Sequence, residues 1–215
     1  MTTSPRTGAA LSDVERKSPP RLLVCGSGHR FDVVGEQTCH FSWDVDAPFD
    51  GVIIADASAA ADMPTLLRRR RAWLAPVADL SGNDAWFADF HAADASPSSF
   101  RRAVAEMLQV IDALGQLPAA VTATGDEETL LLVRAFSRGG RLQPVYDGFT
   151  PDLLRYPAAG LLEQPAAAAE LLCAGGWFDR TFFDRLHVCP RCASSRLNVR
   201  EECSACRSPQ VSQET

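Results

Sequence analysis

The sequence predicts an α/β protein, with a parallel sheet domain followed by a small, mostly helical region that ends in a metal-binding ribbon. Three observations predict this. Short apolar runs alternate with helical patterns up to about residue 117, the pattern is helical after about residue 124, and four cysteines stand close together near the end. Short buried strands that alternate with helices are typical of a parallel sheet covered on both faces.

Five segments of the first region are predicted to be strands. Arg21–Gly26 is an apolar run closed by glycine, and Asp50–Asp56 has a β-branched centre and ends at an acid. His40–Val45 alternates between apolar and polar residues, Ala75–Leu80 is short and apolar, and Trp86–Phe90 supplies the fifth strand. The region from Arg21 to about Leu117 is long enough to form one domain of this kind.

Helices are predicted at four places. Pro64–Leu74 follows the central strand, and a longer helix starts after Ser96-Pro97, a serine cap followed by proline, and stops at Gly115. Asp126–Arg138 and Pro165–Ala174 form the second region. The apolar face predicted for the first of these two comprises Leu130, Leu131, Val133 and Phe136.

The domain boundaries follow from changes in composition. Residues 1–20 are polar and are predicted to be a disordered leader, 21–117 form the sheet domain, 124–209 form the helical lead-in and ribbon, and 210–215 form a disordered tail. No segment has the ~18–20 apolar residues needed to cross a bilayer, and no secretory signal opens the chain. We therefore expect a cytoplasmic protein that does not associate with membranes.

The cysteines near the end have the spacing of a metal site. Cys189 and Cys192 form one CxxC turn, and Cys203 and Cys206 form a second after ten intervening residues. Each turn places two thiolates on one side of a bend, and two turns complete a tetrahedron at Zn–S distances of ~2.3 Å. Four sulfurs leave no open position, so the sequence predicts one structural Zn²⁺ and no metal-based catalysis.

Other interpretations of the cysteines remain open at this point. A rubredoxin-like iron site has the same ligands, and free or disulfide-paired cysteines are a further alternative. His187 lies near the first CxxC turn but is predicted to pack, because the ligand set is already complete. The remaining cysteines, Cys25, Cys39 and Cys173, are predicted to be small buried residues.

The segment from Phe178 to Cys203, with its FDRTFFDRLHVCPRC run, resembles the thaumarchaeal output domain family. That family is a zinc-ribbon module of prokaryotic signalling proteins, and the similar stretch here covers about Thr124 to Pro209. By position, Cys189, Cys192, Cys203 and Cys206 resemble the family's first zinc-binding set. Family members often continue into further Cys- and His-containing sequence, so the resemblance implies a shortened form.

The first domain resembles a degenerate receiver of two-component systems, which has a flavodoxin-like fold. A working receiver needs an acidic pair after its first strand, an acceptor aspartate and a lysine near its last strand. Asp56 stands at the acceptor position, but the first strand runs into Cys25-Gly26, and no lysine follows Lys17. The resemblance therefore implies a pseudo-receiver that does not carry out phosphotransfer.

Weaker signals favour ordinary structural roles. Gly26-Ser27-Gly28 fails the GxGxxG pattern at Phe31, which indicates a plain turn. The run Arg68–Arg71 is predicted to be a solvated helix face with at least one arginine stem against the fold, and a contact for an acidic, nucleic-acid or cyclic-dinucleotide partner is the alternative. Four tryptophans are predicted to pack in the core or between domains: Trp43, Trp73, Trp86 and Trp177.

These observations predict a non-catalytic bacterial signal-transduction module, a pseudo-receiver coupled to a zinc-ribbon output domain that binds a protein partner of a two-component or cyclic-dinucleotide pathway. No motif for a nucleophile or a carboxylate pair argues for an enzyme. The alternative is a nucleic-acid-binding zinc-ribbon regulator, because arginines such as Arg196 and Arg200 outnumber acids around the ribbon. The net charge of −6 and the pI near 5.2 disfavour that alternative.

Overall fold

The structure is a computed structural model, and it describes residues 18–26, 39–146 and 154–181. The strands of these ranges are β1 (Arg21–Cys25), β2 (His40–Ser42), β3 (Gly51–Ile54), β4 (Val77–Asp79), β5 (Phe90–His91), β6 (Val145–Tyr146) and β7 (Leu154–Arg155). The helices are α1 (Ala57–Ala60), α2 (Met63–Arg69), α3 (Pro97–Gly115), α4 (Ala119–Thr122), α5 (Glu127–Ser137) and α6 (Pro165–Ala174), with a 3₁₀ turn at Pro157–Ala159.

The first five strands form one parallel sheet in the order β2-β1-β3-β4-β5. This is the strand order of flavodoxin-like folds, in which the chain leaves the first strand in one direction and later returns on its other side. The α/β character and the parallel sheet predicted from the sequence are confirmed.

Side chains that alternate along the strands build two core layers. Leu22, Val24 and Ile53 face the layer that α3 covers, whereas Leu23 and Val52 face the layer that α2 covers. Because both faces of β1 and β3 are covered, these strands consist of consecutive buried apolar residues, apart from the exposed Arg21 at the start of β1. This explains why apolar runs alone located them in the sequence.

The long helix α3 is specified by its cap and its apolar stripe. The Ser96 side chain accepts a hydrogen bond from the Ser99 backbone amide at 3.3 Å, and Pro97 occupies the first turn. One stripe of the helix is buried against the sheet and comprises Phe100, Ala103, Val104, Met107 and Val110. The predicted start and end of this helix are confirmed.

Helices α5 and α6 pack together in a third core cluster, which also includes Leu74 from the segment before β4. Asp126 caps α5 by accepting from the Thr129 amide at 2.9 Å. The Glu127 carboxylate accepts from the amides of Glu163 and Gln164 at 2.6 and 2.9 Å, just before α6 begins. A side chain of one helix therefore holds the start of the next.

The described residues divide into two compact units. The first contains the sheet, α1–α6 and the 3₁₀ turn, and its described ranges are 18–26, 39–142 and 157–179. The second includes the antiparallel hairpin of β6 and β7. The predicted domain boundary between residues 117 and 124 lies inside the first unit. It stays a prediction, because either one domain or two tightly packed domains would form a single compact unit there.

Two predicted details differ from the structure. Helix α2 ends at Arg69, before the predicted Leu74, because Arg71 takes a left-handed backbone with φ of 53°. The fifth strand is Phe90–His91, and most of the predicted segment Trp86–Phe90 precedes it as a loop. In the part of the chain that the structure describes, none of the helices combines the length and the apolar character of a membrane span.

Candidate functional site

The carboxyl edge of the sheet, here the residues that follow β1 and β3, carries Asp56, the predicted acceptor position. Asp56 lies two residues beyond β3 and caps α1, since its Oδ1 accepts from the Ser58 hydroxyl at 2.6 Å and from the Ala59 amide at 3.2 Å. Gly26 follows β1 with φ of 136°, and a Cβ at that position would lie 2.8 Å from Asp56 Oδ2. Only glycine therefore allows Asp56 to lie so close to β1.

The Cys25 thiol at this edge is not set up for nucleophilic chemistry. Burial, followed by the charge of Asp56, raises the pKa of Cys25 to about 11. A thiol with that pKa stays protonated at neutral pH, and the thiolate is the reactive species. Cys25 is therefore a small buried residue, as predicted.

The carboxylate of Asp79, at the end of β4, is hydrogen-bonded to the loop that follows the strand. Asp79 is buried and accepts from the Ser81 amide, the Ser81 hydroxyl and the Ala85 amide at 2.9, 2.6 and 2.6 Å. Among the described residues, no group of three or more His, Cys, Asp or Glu side chains is placed to hold a metal ion. The described carboxyl edge thus offers one capping aspartate where a receiver has an acidic cluster.

The amino edge of the sheet, here the residues just before β4 and β5, contains a buried ionic cluster of Asp89, Arg134 and Arg138. Asp89 precedes β5, and its carboxylate pairs with Arg134 at 3.2 Å and with Arg138 at 2.5 Å. Its Oδ2 atom also accepts from the Val77 amide at 2.9 Å, which fixes it to the start of β4. A single carboxylate therefore joins two strands to α5.

Backbone carbonyls and the Ser137 hydroxyl accept further hydrogen bonds from the guanidiniums of the cluster. Arg134 donates to the Trp73 carbonyl, and Arg138 donates to the Leu74 carbonyl at 3.2 Å. Both carbonyls belong to the segment that leads into β4. Because buried charges are tolerated only when they are paired and hydrogen-bonded, these contacts explain how two arginines can lie inside the protein.

The pKa values of Asp89 and Arg134 keep both of these groups charged at neutral pH. Burial alone would raise the pKa of Asp89, but the charges of Arg138 and Arg134 outweigh it and hold the pKa below its ordinary value. Burial and the charge of Arg138 lower the pKa of Arg134 to about 9, against the opposing effect of Asp89. The cluster therefore carries a net positive charge within the fold.

The sequence analysis did not predict the ionic cluster, although one signal for it was present. Arg134 lies three residues after Leu131 and Arg138 four further on, the spacing of one helix face. The prediction that Phe136 belongs to the apolar face is wrong, because 53% of its surface is exposed while Arg134 is fully buried. Helical spacing could have indicated the arginines, but the partner Asp89 is distant in sequence.

The predicted zinc ligands Cys189, Cys192, Cys203 and Cys206 lie outside the described residues, as does His187. In the arginine run, Arg70 lies over the Phe49 ring at 6.0 Å and donates to the carbonyls of Asp46 and Ala47 at 2.8 Å. This arrangement agrees with the prediction that one arginine packs against the fold.

The other singled-out side chains divide into buried and exposed groups. Cys39 is buried like Cys25, and Cys173 is partly buried. Trp73 packs against two core clusters, as predicted. The packing prediction is wrong for Trp43 and Trp177, which expose 51% and 69% of their surfaces, and Trp86 is also exposed although it contacts Phe87 edge-on.

Comparison with known protein families gives a match to the last part of the sequence. Residues 120–215 match the sequence model of the family described as thaumarchaeal output domain 1. The match includes most of α4, all of α5 and α6, and both CxxC motifs of the sequence, and it indicates a signalling output role for this segment. No curated protein and no solved structure matches the chain.

Proposed function

We propose that this protein is a non-catalytic signalling module in which a pseudo-receiver sheet acts on a zinc-ribbon output segment. The single observation that carries the proposal is the ionic cluster at the amino edge. Arg134 and Arg138 belong to the segment that matches the output domain family, and both are buried against strands of the sheet through Asp89. A conformational change in the sheet would therefore be transmitted to the output segment through these ion pairs.

The absence of phosphotransfer is part of this proposal. A phosphorylated aspartate needs a divalent cation to neutralise the charge that develops on the phosphoryl group. Cys25 and Gly26 stand where a receiver carries its acidic pair, and the sequence has no lysine after Lys17. The engagement of Asp56 in capping α1 also supports a structural role for this carboxylate.

The output segment would be held together by one zinc ion bound to Cys189, Cys192, Cys203 and Cys206. Four thiolates from two CxxC turns are the donor set that structural Zn²⁺ prefers. The ion would supply folding energy, since a ribbon this short buries too little apolar surface to be stable alone. With all four positions filled by sulfur, the chain's own residues would perform no chemistry at the metal.

We propose a protein partner in the cytoplasm as the target of the output segment. The test has two arms, both with the full chain. Incubation with acetyl phosphate and Mg²⁺ should leave the protein without a phosphoryl adduct by intact mass, whereas a working receiver treated in parallel gains one. Elemental analysis should give one zinc per chain, and the Cys189→Ser/Cys192→Ser variant should lose it.

Either arm can overturn its part of the proposal. A phosphoryl adduct that disappears in Asp56→Asn would show that the sheet domain is a working receiver. A protein that stays ordered without metal would show that the four cysteines are not a structural zinc site. A pulldown with the intact protein and with the double-serine variant then tells whether a partner binds through the ribbon.

The second candidate function, nucleic-acid binding, rests on the arginines around the ribbon. Arg196 and Arg200 lie between the two CxxC turns, and Arg68, Arg69 and Arg71 are exposed at and beyond the end of α2. Binding to DNA or RNA that weakens steeply with salt, and that Arg196→Ala/Arg200→Ala abolishes, would favour this function over protein binding.

A further inference from the structure

A cavity of about 300 Å³ opens beside the carboxyl ends of β1 and β2. The described side chains that matter most in its lining are Cys25, Trp43, Val45, Asp62, Met63 and Leu66. Cys25 and Met63 are buried at its base, whereas Trp43 and Val45 expose large apolar surfaces to solvent. Its volume lies at the lower end of the range for small-molecule pockets, about 300–1,000 Å³.

The cavity lies where this type of sheet usually binds ligands. In doubly wound sheets, ligands occupy the crevice outside the carboxyl ends of the strands, at the point where the strand order reverses. Here β1 pairs with β2 on one side and with β3 on the other, so the reversal lies at β1. The cavity is next to it and is separate from the ionic cluster at the amino edge.

The charge of the described lining residues is negative. Within the described residues, Asp62 is the charged side chain of the lining, and no Lys, Arg or His contributes to it. Gly26 also lines the cavity, and the carboxylate of Asp56 lies against it. The described part of the lining therefore favours a ligand that carries a positive charge.

Asp62 is available to a ligand because the helix that follows does not use it. Asp62 occupies the cap position of α2 but has a helical backbone, and its side chain makes no capping hydrogen bond. Pro64 in the first turn has no amide to donate. Nor does the carboxylate form an ion pair with any residue that the structure describes.

We infer that the cavity binds a small organic cation, an amine on an aromatic or branched apolar body, with its charge at Asp62. The apolar walls would bury the body, and the indole of Trp43 adds an aromatic surface that favours cations. In signalling, this ligand would replace phosphorylation as the input to the sheet. That role rests on the proposed function, but the binding itself does not.

The experiment uses the full chain and three probes of one shape. 2-Phenylethylamine, 2-phenylethanol and 3-phenylpropionate carry a positive, a neutral and a negative group on the same phenyl body. Their binding is followed by saturation-transfer NMR and titration calorimetry at low salt. For a ligand this small, we expect the amine to bind with a Kd of about 1 mM, and the propionate at least about fivefold more weakly.

Two variants locate the binding, and one serves as a control. Asp62→Asn should weaken amine binding about fivefold, the scale of a partly exposed ion pair, and should leave phenylethanol binding unchanged. Ala59→Leu, which fills the cavity from α1, should weaken all three probes. Asp84→Asn removes an exposed carboxylate outside the lining and should bind the amine as the wild type does.

The inference is overturned if the amine and the propionate bind equally, if Asp62→Asn binds the amine as tightly as wild type, or if no probe binds saturably. Circular dichroism of each variant checks that it is folded, and Ala59→Leu gives an independent result if Asp62→Asn is not. Failure here would leave the mass-spectrometric and zinc tests of the proposed function unaffected, so the two can fail separately.

Discussion

The two edges of the sheet use charge in opposite ways. At the amino edge, Asp89 is buried and joined to Arg134 and Arg138, so charge fastens helix α5 to the strands. At the carboxyl edge, Asp56 caps a four-residue helix, and Asp62 has no partner among the described residues. The amino edge thus attaches a helix to the strands, whereas the described carboxyl edge, where such sheets bind ligands, carries the Asp62 carboxylate beside a cavity.

If the sheet domain is the proposed pseudo-receiver, this difference would let it signal without phosphotransfer. A receiver keeps its charged chemistry at the carboxyl edge, where an acidic cluster holds the metal. In the described part of this protein, the densest charged cluster is at the opposite edge and contacts the segment that matches the output domain family. The charge of this cluster connects α5 to the strands.

The strongest test of the comparison removes the carboxylate at the amino edge. Asp89→Asn leaves two buried guanidiniums without a counter-charge, and we expect the free energy of unfolding to fall by about 3–5 kcal/mol. Urea titration at neutral pH measures it. Asp84→Asn, an exposed carboxylate on the same loop, is the matched control and should change stability by less than about 0.5 kcal/mol. A loss for Asp89→Asn as small as that of the control would contradict a fastening role.

Acid titration sharpens the same test because it identifies the charge as the cause. The pKa of Asp89 is lowered in the folded protein, so its stabilising effect is complete above the ordinary carboxyl pKa of about 4 and is lost as the pH falls through the folded-state value. The stability gap between wild type and Asp89→Asn should therefore narrow on acidification below about pH 4. A gap that stays constant down to acid unfolding would assign the effect to packing.

At the carboxyl edge, the largest effect should come from Gly26. Alanine at this position must adopt φ of 136° and place its Cβ 2.8 Å from Asp56 Oδ2. We expect Gly26→Ala to lower the free energy of unfolding by about 2 kcal/mol, measured by urea titration. Gly125→Ala is the control, since nothing lies within 4 Å of a Cβ there, and its stability should equal or slightly exceed that of wild type. Equal stability of the two variants would mean that Gly26 is not constrained.

Asp56 should contribute to the free energy of unfolding by the amount typical of a helix cap. Asp56→Ala removes the acceptor for the Ser58 hydroxyl and the Ala59 amide, and should destabilise the protein by about 1 kcal/mol. Asp56→Asn keeps a capping oxygen and should lose only a few tenths of a kcal/mol. Thermal unfolding of the two variants separates these outcomes. If Asn destabilises as much as Ala, the negative charge itself is needed at the carboxyl edge.

The sheet could be predicted from the sequence because its strands and helices are specified by residues that are close together in the sequence. Buried strands with both faces covered appear as apolar runs in the sequence. The start of α3 is indicated by the neighbouring residues Ser96 and Pro97, and its buried face is indicated by apolar residues at helical spacing. The ionic cluster could not be predicted in this way. Asp89 and Arg138 are 49 residues apart, and their pairing depends on how α5 docks against the strands.

Helix α5 shows the same limit within a single element. Hydrophobicity places Phe136 inside and Arg134 outside, and the structure reverses both because two arginines find a carboxylate and carbonyl acceptors in the interior. A hydrophobic pattern measures the cost of removing a side chain from water, but it does not count partners supplied by distant residues. The four cysteines proposed to bind zinc are the opposite case, since their spacing is local and can be recognised without coordinates.

The smallest expected effect tests this reversal directly. If Phe136 were a core residue, Phe136→Gln would cost several kcal/mol, as large-to-small core changes do, about 3–5 kcal/mol for phenylalanine. Because half of its surface is already in water, we expect a loss under about 1 kcal/mol, offset in part by the good helix propensity of glutamine. Leu131→Ala, at a fully buried position on the same helix, should lose about 2–5 kcal/mol and shows that the assay detects core damage. If both variants lost stability equally, the helix would be rotated from the register that buries Arg134, and the ionic cluster at the amino edge could not form.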